Sequence, residues 1–335
     1  MRLLVTGGLG FIGSNFIKYI LNKDTDFEII NLDSLSYGSN PANLKNIEKK
    51  ASYRIVKGSI TDENLIKSII KEVDAVINFA AETHVDRSIS DPEPFLLSNT
   101  LGTFTLLEAA RKADIKRFLQ VSTDEIYGTA YGIQSFKEGQ TLNPSNPYSA
   151  SKAAADMYVT AYHRTYGLQT VITRSTNNFG PYQFPEKFIP KTIIRALKNV
   201  PVPIYGSGKQ TRSWIHVTDH CRALESVLHK GRPGEIYNIS TKNEIENLKV
   251  AHNILQLLHK QKKLIHFVED RPGHDLRYSL DSSKIRSELD WEPKLSFSQA
   301  LKSTVKWYQN NEWWWKPIAK EEILHSTPWK SGTTQ

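Results

Sequence analysis

The sequence is poor in sulfur, with one cysteine, Cys221, and two methionines among 335 residues. A single cysteine excludes an intrachain disulfide, so packing of the core has to hold the fold together. Charge of one sign is not concentrated either, because the formal charge of +8 is spread along the chain without a block of five like charges. Nucleic-acid binding is therefore not indicated, and the basic excess suits an anionic small molecule or simply an ordinary solvated surface.

Signals for membranes, export and metals are missing as well. No apolar run approaches the length of a membrane span, and no signal-peptide core precedes the first predicted strand. The ten histidines show no HExxH or comparable spacing, and the chain contains neither a P-loop nor an internal repeat. These absences predict a cytoplasmic protein with no metal, no membrane partner and no nucleic-acid partner.

The N-terminal segment has the pattern of a strand, a glycine turn and a helix. An apolar strand is followed by Gly7, Gly10 and Gly13, and an amphipathic helix is predicted over Ser14–Leu21. Glycines at this spacing permit a tight turn and let a pyrophosphate approach the helix N-terminus. A glycine motif alone is weak evidence for a dinucleotide site, so the interpretation depends on the residue that follows the next strand.

That strand is predicted over Phe27–Leu32 and is followed by Asp33, 20 residues after Gly13. An acid at this position is expected to bind the ribose diol of a dinucleotide. Because a carboxylate would repel a 2′-phosphate, the pattern predicts NAD and not NADP. A plain turn acid after a strand is the alternative interpretation of Asp33.

Strands and helices continue to alternate up to about residue 175. The alternation predicts a Rossmann-type α/β fold with a doubly wound parallel sheet and ligands beyond the carboxyl ends of its strands. We predict an NAD-binding domain over residues 1–175, to which some later segments return, and a smaller substrate-binding lobe mainly over residues 176–335. The other predicted elements are strands over Tyr53–Gly58, Asp74–Ala81, Lys116–Ser122 and Leu168–Arg174, and helices over Asp62–Ile70, Phe95–Ala113 and Phe297–Trp315, the last ending in three packing tryptophans.

Tyr148 and Lys152 stand four residues apart in a segment predicted to be helical. Asn146 suits the N-cap and Pro147 the first helical position, so both side chains would lie on one face. An ammonium beside a phenol lowers the pKa of the phenol, which makes a general base for a substrate alcohol. Taken alone, a tyrosine and a lysine at helical spacing are a common surface pair.

Two adjacent acids follow the strand predicted over Lys116–Ser122. Asp124 and Glu125 stand just beyond its end, and Thr123 adds a hydroxyl. Paired acids in a shared site push their pKa values apart, which suits one general acid and one general base. Acidic residues in the first turn of a helix are the alternative, and the spacing alone leaves both interpretations open.

Three later cations are candidates for binding phosphate oxygens. They are Lys187, Arg212, which is predicted in a glycine-flanked turn, and Arg271. Separate solvated loop cations are the alternative for each of them.

Together these segments make the chain similar to the extended short-chain dehydrogenases/reductases, and among them to the dTDP-glucose 4,6-dehydratases. Tyr148 and Lys152 are generic to that superfamily, whereas the acids at 124 and 125 are far more specific, because related epimerases lack them. The resemblance covers nearly the whole chain. The other matching segments are Thr6–Gly13, Ala80–Ser88, Asn177–Lys187 and Asp270–Asp275.

The resemblance implies bound NAD and a nucleotide-sugar substrate. The implied NAD residues are Gly7, Gly10, Phe11, Ile12, Gly13, Asp33, Ser59, Ile60, Ala80, Ala81, Ser98, Tyr148, Lys152 and Asn178. The implied substrate residues are Thr83, Thr123, Asn177, Lys187, Phe188, Pro203, Tyr205, Arg212, Asn247, Arg271 and His274. Ser59 and Ser213 stand where the family more often carries an acid. We expect NAD binding to be kept, since a serine at 59 still forms hydrogen bonds.

The reaction that the resemblance implies is loss of water from a nucleotide hexose. Tyr148 would take the 4-hydroxyl proton as hydride passes from carbon 4 to NAD, with Lys152 and Thr123 supporting the phenolate oxygen. Glu125 would then remove the carbon 5 proton and Asp124 would protonate the leaving 6-hydroxyl, before hydride returns to carbon 6. The segments 95–113 and 148–166 would pack against their copies in a homodimer.

Several alternatives stay open from the sequence. The base of the substrate is thymine or uracil, or the sugar belongs to another nucleotide. A nucleotide-sugar 4-epimerase would share the glycine turn, Tyr148 and Lys152, but the two acids argue against it. A non-catalytic module that senses NAD would not need Asp124 and Glu125 beside Tyr148 and Lys152.

Overall fold

The computed structural model of the chain describes residues 1–23 and 26–330. Its strands are β1 Arg2–Thr6, β2 Glu28–Asp33, β3 Tyr53–Lys57, β4 Ala75–Asn78, β5 Arg117–Thr123, β6 Thr170–Ser175, β7 Asn177–Phe179, β8 Val202–Tyr205, β9 Thr211–His216, β10 Ile236–Ile239, β11 Glu244–Glu246 and β12 Ile265–Val268. Its α-helices are α1 Phe11–Lys23, α2 Glu63–Ile69, α3 Val85–Ser90, α4 Glu93–Phe95, α5 Gly102–Lys112, α6 Pro147–Tyr166, α7 Phe188–Leu197, α8 Val217–Lys230, α9 Asn247–Leu257, α10 Ser283–Leu289, α11 Phe297–Asn310 and α12 Glu312–Trp315.

Within the described residues, the largest sheet contains seven strands in the order β10-β6-β5-β4-β1-β2-β3. All neighbouring strands in it run parallel. The strand order reverses between β1 and β4, so a crevice opens beyond their carboxyl ends, where Thr6 is paired with Asn78. The predicted doubly wound α/β fold is therefore confirmed.

Helices cover both faces of this sheet and form a separate apolar cluster on each side. One cluster joins α1 and α8 to the sheet, through side chains such as Phe16 and Leu224. The other joins α2 and α5 to it, through Ile66 and Leu106. Because both faces are covered, β1 carries buried side chains from Leu3 to its end, as expected for a parallel sheet.

The later part of the chain builds a third cluster from α7, α9 and α11. Trp314 and Trp315 are buried in it, as predicted for packing residues, whereas Trp313 is 55% exposed. The helix predicted to run to Trp315 is divided at Asn311, whose side chain donates to the carbonyl oxygen of Trp307 where α11 ends. Two smaller sheets, β11-β9-β7 and β12-β8, also belong to this part.

Two further predicted helices differ in their bounds or form. α1 begins at Phe11 and not at Ser14, because Gly7 turns the chain with a φ of 67° and Gly10 donates to its carbonyl oxygen. The helix predicted over residues 95–113 contains a π-helical segment, Leu96–Leu101, between α4 and α5. Single π-helical turns occur often at functional sites.

β10 pairs with β6 in the large sheet although it follows residue 176 in the sequence. The division of the chain into two domains at residue 175 stays a prediction. The predicted end of the second domain, at residue 335, lies outside the described residues. None of the described helices combines the length and the apolar character needed to cross a bilayer. The cytoplasmic location also stays a prediction.

Candidate active site

A cavity of about 280 Å³ lies beyond the carboxyl ends of the central strands. All fourteen residues implied for NAD line its wall, and so do the three consecutive residues Thr123, Asp124 and Glu125. Of the residues implied for the nucleotide sugar, the cavity is also lined by Thr83, Thr123, Asn177 and Lys187. The fold thus brings the predicted cofactor and catalytic residues into one space.

The glycine turn lets the ends of β1 and β4 approach closely. A Cβ atom on Gly7 would lie 2.8 Å from the backbone of Ala80, and one on Gly13 would lie 2.5 Å from the carbonyl oxygen of Gly7. Larger residues would push these segments apart. The turn therefore holds the first turn of α1 at the cavity wall, where its free N–H groups suit a phosphate.

Asp33 joins the glycine turn to the loop after β2. Its buried carboxylate accepts hydrogen bonds from the N–H groups of Leu9 and Leu35, both at 2.9 Å, and from the hydroxyl of Ser39 at 2.7 Å. A carboxylate can accept about four hydrogen bonds, so one position remains for a ribose hydroxyl. Asp33 thus stabilises the loop after β2, and its binding of a ribose stays a prediction.

Several polar atoms of the wall fit a bound dinucleotide. In the described part of the chain, the Oγ of Ser122 and the Oδ1 atoms of Asn177 and Asn178 are buried without a hydrogen-bond partner. Buried polar atoms are normally satisfied, so such atoms at a cavity wall indicate ligand contacts. No group of three or more side chains suited to a metal ion occurs among the residues that the structure describes.

Tyr148 and Lys152 occupy the first turns of α6, which is capped as predicted. The side chains of Asn146 and Ser149 form a reciprocal capping box, and Pro147 takes the first helical position. Tyr148 and Lys152 are both buried and both line the cavity. The alternative that they form an ordinary surface pair is therefore wrong.

One electrostatic prediction for this pair is also wrong. Lys152 donates from Nζ to the carbonyl oxygen of Val121 at 2.8 Å, and burial lowers its pKa to about 8. Burial and the charge of Glu125 raise the pKa of Tyr148, and a hydrogen bond with Thr123 opposes that rise. Desolvation is the largest influence on this pKa, and helical spacing carries no information on desolvation.

The two acids stand in a 3₁₀ turn, Asp124–Tyr127, directly after β5. Asp124 is buried and Glu125 is half-buried. Burial, followed by the charge of Glu125, raises the pKa of Asp124 to about 7. Burial raises the pKa of Glu125 as well. The acids thus begin a helical turn and also line the cavity, and the pKa of Asp124 near neutral pH suits proton transfer.

The charges of the three cations predicted to bind phosphate act on Glu125, and each opposes the rise of its pKa. Arg212 lies in β9 and not in the predicted glycine-flanked turn, because that turn is completed by Gly206 and Gly208. Its guanidinium is buried and donates to the carbonyl oxygens of Asp275 and Leu276. The alternative interpretation, a solvated loop cation, is therefore wrong for Arg212.

Sequence reasoning missed a buried charged group that holds Arg271. Asp86 pairs with Arg271 at 2.7 Å and accepts a hydrogen bond from the hydroxyl of Tyr205. Burial alone would raise the pKa of Asp86, but the charge of Arg271 lowers this pKa to about 2. His84 lies 3.3 Å from Glu186, and burial lowers its pKa to about 4. The segments that contain these residues were recognised as matching the family, but nothing in their sequence indicates that the charged side chains are buried.

The remaining implied substrate residues lie outside the wall of this cavity. Phe188 stacks on Trp214 with ring centres 6.0 Å apart. Pro203 lies in β8, Asn247 begins α9, and His274 contacts Asp270 at 2.6 Å. Their predicted contacts with a nucleotide sugar stay a prediction.

Comparison with known proteins assigns the chain to a family. Residues 4–304 match the family model described as GDP-mannose 4,6 dehydratase. The dTDP-glucose 4,6-dehydratase of Streptomyces niveus is 44% identical over 336 residues, which cover 99% of this chain and 100% of that protein.

Solved structures agree. The dTDP-glucose 4,6-dehydratase of Bacillus anthracis in complex with NAD has a TM-score of 0.90 at 48% identity, covering 95% of this chain and 99% of that one. The Streptomyces venezuelae enzyme with NAD and TYD bound has a TM-score of 0.93 at 46% identity, covering 95% and 100%. A UDP-glucuronic acid 4-epimerase of Bacillus cereus is more distant, at 26% identity. The chain therefore belongs to the dTDP-glucose 4,6-dehydratase family.

Proposed function

We propose that this protein converts dTDP-glucose to dTDP-4-keto-6-deoxyglucose and water, with NAD regenerated in each turnover. The observation that carries the proposal is that Asp124 and Glu125 line the same cavity as Tyr148 and Lys152. Oxidation of an alcohol requires only the second pair, whereas elimination of water requires an additional base and an additional acid. Membership of the family supports the same conclusion.

The first step needs a base at the sugar 4-hydroxyl. Tyr148 takes that proton, and Thr123, which forms a hydrogen bond with Tyr148, supports the same oxygen. Burial raises the pKa of Tyr148, so the step requires support for the phenolate. Lys152 has a pKa of about 8 and stays largely protonated at neutral pH, and we assign its charge to stabilising the phenolate as the 4-hydroxyl proton is taken. NAD, when bound, accepts hydride from carbon 4 and later returns it to carbon 6.

The second step divides the two acids by their surroundings. With a pKa of about 7, Asp124 is protonated in about half of the molecules at neutral pH, and this form donates its proton to the leaving 6-hydroxyl. Glu125 removes the carbon 5 proton, and the nearby charges of Arg271 and Arg212 favour its ionised form. Carbon 5 takes up a proton again when hydride returns to carbon 6. Two carboxyl groups side by side thus serve as one acid and one base.

The diphosphate of the substrate needs positive charge near the acids. Lys187 lines the cavity, and Arg212 and Arg271 act on Glu125 from the second lobe. We assign the diphosphate to these three cations, because the positive charge of each acts on Glu125, although only Lys187 is part of the cavity wall.

A panel of dTDP-, UDP-, CDP- and GDP-glucose tests the activity and the base preference together. We expect a product with the alkaline absorbance of a 4-keto-6-deoxy sugar, formed fastest from dTDP-glucose. Fastest turnover of UDP-glucose would reassign the base. Formation of a 4-epimer without that absorbance would refute the dehydratase, and no turnover by pure protein would favour the NAD-sensing alternative.

We also propose that two copies of the chain form a homodimer through α6 and the neighbouring π-helical segment. Large apolar side chains are exposed on both, including Leu101 at 44% and Met157 at 53%. Exposed apolar side chains gathered in one patch indicate a protein interface. Analytical ultracentrifugation should give a dimer for the native protein and a monomer for Leu101→Glu. Ile133→Glu, at a fully exposed site in another loop, is the control; a native monomer would contradict the proposal.

A further inference from the structure

The cavity has an exposed rim formed by the loop after β2, residues 34–39. Tyr37 lines the cavity and is 38% exposed. Its hydroxyl donates a hydrogen bond to Oε2 of Glu186, which lies 149 residues later in the sequence. Glu186 is buried and directly precedes Lys187. Tyr37 therefore joins a loop on the NAD side of the cavity to the segment that carries a predicted substrate cation.

The ring of Tyr37 is held from two other directions. The guanidinium of Arg87 lies 3.9 Å from the ring centre, and the ring of Phe184 lies 5.1 Å away. Arg87 is in turn paired with Glu82 at 3.1 Å. Both contacts are made with the ring and not with the hydroxyl, and Arg87 lies over the ring face. Removing the hydroxyl alone should therefore leave the ring in place and isolate the hydrogen bond to Glu186.

The base of the rim loop is fixed by Asp33. Leu35 and Ser39 both donate to its Oδ1, and the N–H of Ser39 also donates to the carbonyl oxygen of Ser36. Tyr37 is thus at the tip of a short turn whose base is the predicted ribose-binding acid. A movement of Tyr37 away from Glu186 would open the cavity next to that acid.

We propose that the hydrogen bond between Tyr37 and Glu186 is a latch that retains the cofactor during turnover. The inference rests on the proposed function, in which the reduced cofactor has to stay bound until hydride returns to the sugar. Tyr37 is a positioning residue and takes no part in proton transfer, which belongs to Tyr148, Asp124 and Glu125.

The latch also connects the cofactor to the substrate. Lys187 donates to the carbonyl oxygen of Thr83, another exposed residue of the rim, and lies 3.8 Å from Glu186. A diphosphate bound at Lys187 would order the same segment that receives the Tyr37 hydroxyl. Bound dTDP should therefore slow cofactor release, and part of that effect should pass through Tyr37.

The test measures how fast NADH leaves Tyr37→Phe and the native protein. Each protein is loaded with NADH and mixed with pyruvate and lactate dehydrogenase, so that released NADH is oxidised and its fluorescence decay reports release. We expect release from Tyr37→Phe to be roughly 10-fold faster, as for loss of one hydrogen bond to a charged group. The addition of dTDP should slow release strongly in the native protein and weakly in the variant.

Tyr131→Phe is the matched control, because Tyr131 is 75% exposed, and it should release NADH at the native rate. Glu186→Gln keeps an acceptor for Tyr37 but removes its charge, so its release rate should fall between native and Tyr37→Phe. Native release rates for both Tyr37→Phe and Glu186→Gln, or an undiminished dTDP effect in Tyr37→Phe, would overturn the latch. The two proposals can fail separately. If the native protein dehydrates no nucleotide sugar but NADH leaves both variants faster than it leaves the native protein, the latch is supported and the proposed function is refuted.

Discussion

The NAD side and the sugar side of the cavity are built in opposite ways. On the NAD side a main contact joins a backbone group to a side chain within one strand–helix–strand unit, as where the N–H of Leu9 donates to Asp33, 24 residues away. On the sugar side they join charged groups far apart in sequence, as where Arg271 donates to Asp86 across 185 residues. A site formed within one short sequence motif can be predicted from that motif, whereas a site formed by buried charges from distant segments can be identified only from the whole fold.

Tyr148→Phe should give the largest effect, because Tyr148 stands where the two sides meet. Loss of the base should lower dTDP-glucose turnover by roughly 10²–10⁴-fold, without loss of the fold. Turnover, bound NAD and the melting temperature should be measured together, with Tyr131→Phe as the control. Near-native turnover in a folded variant would show that another group is the base.

Substitutions of Asp124 and Glu125 should impair the elimination of water from the sugar while leaving the reduction of bound NAD intact. Glu125→Gln should still reduce bound NAD when dTDP-glucose is added, yet fail to exchange the carbon 5 hydrogen with solvent. Asp124→Asn should allow oxidation and exchange but eliminate water slowly. NADH absorbance and deuterium incorporation separate these steps, and each loss of overall turnover should reach roughly 10²-fold.

Two outcomes would change the assignment of the acids. If both variants dehydrate as fast as the native protein, the acids are only charges at the start of a helical turn. If both also lose the reduction of NAD while the fold is kept, the acids chiefly position the sugar.

Asp33→Asn should affect the NAD side alone. The carboxylate would repel a 2′-phosphate, so the neutral amide should reduce the preference for NAD over NADP by roughly 10-fold, or about 1.4 kcal/mol. Dissociation constants for both cofactors measure this change. The native protein should release NAD(H) on denaturation, and recovery of mainly NADP(H) would contradict the role given to Asp33.

The smallest effect concerns stability. The pKa of Asp124 is raised to about 7 from 3.8, so its stabilising effect on the fold is complete below about pH 4 and is lost as the pH rises through 7. Asp124→Asn should therefore raise the melting temperature by at least about 2 °C at pH 8 and not at pH 4. Glu48→Gln, at an exposed acid, is the control, and a pH-independent difference would argue against the raised pKa.

The parts of the molecule that were predicted well are those governed by local rules. The alternation of apolar strands and helices predicted the parallel sheet, and Asn146 and Pro147 predicted the start of α6. Boundaries were less accurate where a turn was shorter than expected, as at Phe11, where α1 begins. The predicted turn at Arg212 was wrong, because its flanking glycines turn the chain before β9 begins.

By itself, the sequence determined the fold class and the glycine turn, because periodicity and spacing are properties of neighbouring residues, whereas spacing alone left the role of the acids at 124 and 125 open. Only the tertiary structure decided the electrostatics: that burial raises the pKa of Asp124 and Tyr148, and that Tyr37 meets Glu186. Desolvation and Coulomb interactions depend on which distant groups the fold brings within a few ångströms, and no local pattern specifies those groups.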